Sequence, residues 1–149
     1  MDEVESPRSR RPIVLYLTID SFAWLEVIRG TAVGRRAQAT IGSADRCLTP
    51  SVVLAEVASK CHREGFVDEL VLLELAAIME SSEVVPISPE IALAASHGVE
   101  ELRTRARAGK LPPPGLADGL VLATARRHST RILTGDPHFR GLPETVWLG

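Results

Sequence analysis

Aromatic residues are scarce in this 149-residue chain, at 4%: two tryptophans, one tyrosine and three phenylalanines. Alanine, valine and leucine supply most of the apolar mass instead, which favours helices packed on a sheet over an aromatic-rich β sandwich. Cysteine is nearly absent. Cys47 and Cys61 share no motif spacing, so they read as reduced thiols of a cytoplasmic protein and not as a disulfide framework. No apolar run reaches the roughly 18 residues of a membrane span, and no hydrophobic segment of the signal-peptide kind follows the opening MDEVESPRSRRP. Excess charge is lacking too. Seventeen basic against nineteen acidic residues leave −2, which argues against nucleic-acid binding driven by the field of the whole molecule. A local basic rim remains open, as does a cluster of acids that turns cationic once metal binds.

What is present suits one globular domain with a sizeable core, 45% hydrophobic over a common domain length. Residues 1–11 read as a disordered polar tail whose Arg8, Arg10 and Arg11 are either solvated or available to a polyanion, and residues 12–149 as the domain. The pattern predicts a strand over 12–19, helices over 21–29 and 32–41, and a strand over 46–49. Thr49-Pro50 then reads as a cap with proline at the first helical position, opening a helix that ends near Gly65. A helix over 66–80 is apolar around most of its circumference, so it is either deeply buried or covered by a partner. A short strand in EVVPIS, helices over 89–108 and 116–128, and strands in TRILT and ETVWL complete the chain, with the triple proline at 112–114 as an internal loop. This alternation predicts an α/β fold, a mainly parallel sheet of four to five strands flanked by helices.

Four acids stand where apolar residues would be expected. Asp20 closes the first strand and Asp136 follows RILT; ligands of open α/β sheets bind at those strand ends. Either aspartate alone could merely cap a turn. Glu56 lies at the edge of the stripe carrying Val53, Val57 and Cys61, where an ion pair with Lys60 is the plainer account. Asp118 shares the core-facing side of its helix with Val121, Leu122 and Ala125, and N-terminal capping would also explain it. Converging carboxylates repel one another, a conflict that a divalent cation resolves, and an all-oxygen set selects Mg²⁺ or Mn²⁺ over zinc. His62, His97, His128 and His138 show no ligand pairing, although His138 is two residues from Asp136 and either lines the site or is an ordinary surface histidine.

With LTIDSFAWLE, LTPSVVLAEVASK and LADGLVLATARRHSTRILTGDPHF in order, the chain from Pro12 to Trp147 resembles the PIN-domain ribonucleases, particularly the VapC-type toxins of toxin–antitoxin pairs. The resemblance carries the family's acids onto Asp20, Glu56, Asp118 and Asp136, as catalytic residues and as ligands of one or two Mg²⁺ or Mn²⁺ ions. It carries a supporting hydroxyl onto Thr134. Phe22 departs from the pattern, since many relatives have a small polar residue two places after the first aspartate; Ser21 is the alternative hydroxyl. The implied activity is hydrolysis of RNA phosphodiesters, with a catalytically silent PIN-fold binding module as the alternative. Backbone contacts would come from among Lys60, Arg63, Arg103, Arg105, Arg107, Lys110 and Arg140, each otherwise a solvated charge. The resemblance also implies a homodimer and an antitoxin partner, with Phe66, Leu70, Leu73 and Ala77 contributing to the surface unless they pack in the core. A phosphatase of the haloacid-dehalogenase type also starts with an aspartate after its first strand, but it needs a second aspartate where this chain has Phe22.

Overall fold

A computed structural model describes residues 13–149; the expected tail over 1–11 and the expected strand start at Pro12 lie outside the described residues. In chain order come β1 (Tyr16–Ile19), α1 (Ser21–Arg29), α2 (Ala32–Ser43), β2 (Arg46–Pro50), α3 (Ser51–Arg63), α4 (Asp68–Ser81), β3 (Glu83–Val85), α5 (Pro89–Ala108), α6 (Leu116–Arg127), β4 (Arg131–Thr134) and β5 (Thr145–Trp147), with a 3₁₀ turn at Pro137–Phe139 before β5. The strands form one sheet in the order β3-β2-β1-β4-β5, and every neighbouring pair is parallel. The α/β architecture is as the alternation predicts, with five strands. From β1 the chain winds outward through β2 to β3, then returns past β1 to β4 and β5. The carboxyl ends of β1 and β4 therefore flank the point where the winding reverses, the place where such sheets open a crevice.

The apolar runs of β1 and β4 are buried on both faces, as a central parallel strand requires: Leu17, Ile19, Ile132 and Leu133 are all fully inaccessible. β1 is shorter than the predicted 12–19. Leu15 turns its backbone to the end of α2, donating to Asp45 Oδ2 and accepting from the Asp45 N–H, both at 2.8 Å, so sheet pairing begins at Tyr16. Gly30 ends α1 in the left-handed region at φ 68°, a conformation that costs glycine little.

Thr49 and Pro50 are not the opening of α3. Pairing with β3 extends β2 through Pro50, opposite Val85, and the helix starts at Ser51 without a side-chain cap. The Thr49 hydroxyl instead accepts from Trp24 Nε1 at 3.1 Å and meets Ser82 Oγ at 2.7 Å. α4 begins at Asp68, two residues beyond Phe66, and buries only Val71 and Ile78. Leu72, Leu73 and Met79 are 65%, 68% and 56% exposed, so deep burial does not explain its composition.

α5 and α6 pack closely because Gly119 has no side chain. A Cβ there would lie 2.7 Å from the Ala95 carbonyl oxygen and 3.0 Å from Val99 Cβ. The first turn of α6 is thereby held against α5, and with it Asp118. Among the described residues no helix is long and apolar enough to cross a membrane.

Candidate metal centre

Asp20 follows β1 in extended backbone and α1 begins at the next residue, so the carboxylate sits at the switch point, 2% exposed. Thr134, the last residue of β4, donates from Oγ1 to Asp20 Oδ2 at 2.8 Å. The same hydroxyl accepts the Asp136 N–H at 3.0 Å, so one threonine fixes both acids at the ends of adjacent strands. Ser21, read as an alternative hydroxyl beside Asp20, is the first buried residue of α1. Its hydroxyl instead acts on Glu56.

Glu56 is half-buried on α3, beside the fully buried stripe of Val53, Val57 and Cys61. Asp118 in the first turn of α6 is half-buried and accepts the Gly115 N–H on Oδ2 at 3.0 Å. Asp136 accepts the His138 N–H on Oδ1 at 3.0 Å. The capping readings of these two aspartates are therefore correct and incomplete, because each also faces the other acids. Oxygens of Asp118 and Asp136 and a ring nitrogen of His138 all lie within 4.8 Å of one another.

The electrostatics tie all four acids together. Burial, and after it the charges of Asp118, Asp136 and Glu56, push the Asp20 carboxyl up to about 7 against the pull of the Thr134 hydrogen bond. Burial also raises Glu56, which Lys60 and Ser21 pull down and Asp118 and Asp136 push up. Asp118 is raised by burial and then by Asp136, with Gly115, His138 and Lys60 opposing.

His138 is the residue that sequence reasoning left undecided. Its Nε2 donates to the Pro112 carbonyl at 2.7 Å and its Nδ1 lies 2.9 Å from Asp136 Oδ1. Burial disfavours its charged form, but the Pro112 carbonyl, Asp136 and Asp118 outweigh that and raise its proton affinity. Only its two-residue distance from Asp136 hinted at this; Pro112 is far away in the chain. With both ring nitrogens engaged, the imidazole braces Asp136 against the proline loop.

Phe22, the departure from the family pattern, places its ring on Gly135, between Thr134 and Asp136. A Cβ at Gly135 would come within 2.4 Å of Phe22 Cε1. Of the basic candidates, Arg103 is paired with Glu100, while Lys60 acts on Glu56 and Asp118.

The donor set fits a hard divalent cation. A carboxylate whose proton affinity is raised first by burial and then by neighbouring acids gains most from such an ion, and oxygen donors predominate.

The family model for the PIN domain matches residues 17–144, which include all four acids. The chain belongs to the PIN domain family. Solved structures similar to this PIN domain include a toxin–antitoxin complex from Klebsiella pneumoniae, 18% identical, covering 89% of this chain and 98% of that one at a TM-score of 0.66. A sarcin-ricin loop cleaving toxin, VapC20 of Mycobacterium tuberculosis, is 16% identical and covers 86% and 95% at 0.65. DNA-bound VapBC from Salmonella typhimurium is 14% identical and covers 91% and 100% at 0.64. At these identities the likeness is one of fold. No curated protein matches this PIN domain in sequence.

Proposed function

We propose that this PIN domain is a ribonuclease dependent on Mg²⁺ or Mn²⁺, acting as the toxin of a toxin–antitoxin pair. The observation that carries the reading is the gathering of Asp20, Glu56, Asp118 and Asp136, from four separate elements, at the switch point of the sheet. Its similarity in fold to toxin–antitoxin proteins and to a sarcin-ricin loop cleaving toxin supports it. Asp20, Asp118 and Asp136 would hold the ion, with Glu56 directly or through water. A divalent ion there supplies charge stabilisation for a phosphodiester and makes water a better nucleophile near neutral pH.

The chain's own groups prepare that site. Thr134 fixes Asp20 Oδ2 and the Asp136 backbone with one hydroxyl, and the His138 N–H and ring fix Asp136 Oδ1. The raised proton affinity of Glu56 suits it to take a proton from a water held among the acids. A second copy of the chain and an antitoxin are the partners we propose, with the exposed apolar face of α4 as the surface.

Cleavage of a mixed RNA pool in Mg²⁺, Mn²⁺ or EDTA, comparing wild type with Asp20→Asn, tests the activity. Asparagine keeps the shape and loses the charge, so cutting should need metal and fall at least about a hundredfold in the variant. A well-folded wild type that cuts nothing with either metal would leave the silent binding module. A variant as active as wild type would remove Asp20 from the site.

A further inference from the structure

Next to the acids a cavity of about 450 Å³ opens between the last turns of α5 and the segment that follows Asp136. That volume lies in the range of small-molecule sites. Arg105 and Arg140 stand at it, Ala106, Leu111 and Pro137 give it apolar walls, and none of its lining residues is acidic. His138 belongs to both places: it lines the cavity while its Nδ1 reaches Asp136.

The arginines are held in position yet keep donors to spare. Arg105 spends one donor, Nη2, on the Arg140 carbonyl at 2.8 Å. The Arg140 guanidinium sits 5.3 Å from the centre of the Trp147 ring. Among the described residues neither forms a salt bridge, whereas Arg29, Arg46, Arg103 and Arg126 all do. On another side of the acids, Lys60 and Arg63 line a smaller cavity together with Glu56.

We propose that the α5 cavity seats one nucleotide of single-stranded RNA beside the scissile phosphate, its phosphate on Arg105 and Arg140 and its base against Ala106, Leu111 and Pro137. This rests on the ribonuclease reading and adds the course of the strand: from Lys60 and Arg63, across the four acids, into the cavity. An arginine rim over apolar walls matches the two halves of a nucleotide, a charged phosphate and a flat base that gains from leaving water. A protein carboxylate would use the rim and leave the walls idle.

Binding of a short fluorescein-labelled RNA in EDTA, followed by anisotropy over a range of salt, tests this without requiring any cleavage. The double variant Arg105→Gln/Arg140→Gln should bind about tenfold more weakly, and its salt slope should fall by about 0.7, the loss of one phosphate contact on a single strand. Arg46→Gln/Arg131→Gln removes the same charge from the amino ends of β2 and β4, away from the acids, and should bind as wild type. Adenosine monophosphate should displace the RNA at least about tenfold better than inorganic phosphate, because it alone fills the apolar walls.

Equal weakening by both double variants, or none by the first, would overturn the proposal. So would equal displacement by the nucleotide and phosphate, or by a polyglutamate peptide, since either marks a general anion groove. The two readings fail separately. A protein that needs Arg105 and Arg140 to bind RNA but never cuts keeps the seat and loses the nuclease. One that cuts with an unchanged KM in the first variant keeps the nuclease and loses the seat.

Discussion

Phe22 and Gly135 form a contact on which the placement of Asp136 depends. Because a Cβ at 135 would run into the Phe22 ring, Gly135→Ala must move either the ring or the loop that carries Asp136. Overpacking of this kind costs about 1–3 kcal/mol. We expect Gly135→Ala to weaken Mn²⁺ binding about tenfold in calorimetry, at the low end of that range, and Phe22→Ala/Gly135→Ala to recover most of it. Wild-type affinity in the single variant would mean that the ring swings aside. The residues differ in how legible they were. Asp20 and Asp136 are conspicuous because each ends an apolar strand, where a charge needs a reason. The contact of Phe22 with Gly135 and the brace from His138 to Pro112 join distant positions and have no local signature. Thr49 departs from its local signal for a related reason: Thr-Pro signals a cap locally, and only the pairing with β3 extends the strand through it.

Among the elements, α4 stands out as the one whose composition its packing does not explain. Its uniform apolarity was readable, while only the position of its neighbours, which bury Val71 and Ile78 alone, rules out deep burial. If its outer face meets a second copy, Leu72→Glu/Leu73→Glu should leave the fold intact. Both side chains are mostly in water already, so stability should change by no more than about 0.5 kcal/mol. Light scattering should then show a dimer for wild type and a monomer for the variant. A monomeric wild type, or a variant that still dimerises, would move the dimer contact elsewhere. The order of elements was legible throughout, because β-branched runs and amphipathic stretches alternate; the ends shifted by one to four residues, at Leu15 and Pro50 because a tertiary contact took over the backbone.

For the molecule as a whole, the acids make metal-free folding a function of pH. Asp20 rises from 3.8 to about 7 in the folded state, so that state binds the extra proton. Its contribution is fully present below 3.8 and is lost as pH climbs through about 7. Glu56 and Asp118 are raised and act with the same sign; so does His138, whose folded form also holds its proton more tightly. Glu101, lowered chiefly by its hydrogen bond from Arg126, acts in the opposite sense but only below 4.5. In EDTA, Tm should therefore fall between about pH 5 and pH 8, with a cost on the order of a few kcal/mol. Mn²⁺ should restore more at pH 8 than at pH 5, and Asp20→Asn should flatten the profile. A metal-free Tm that rises over this interval would contradict the electrostatic account of the site.

The Thr134–Asp20 hydrogen bond joins residues 114 positions apart, across the two central strands. Parallel closure over such a span is a late and slow event in folding. A nascent chain that has emerged only as far as α6 holds Asp20, Glu56 and Asp118 but lacks Asp136 and the hydroxyl that aligns Asp20. No fragment released before β4 would carry the complete set of acids.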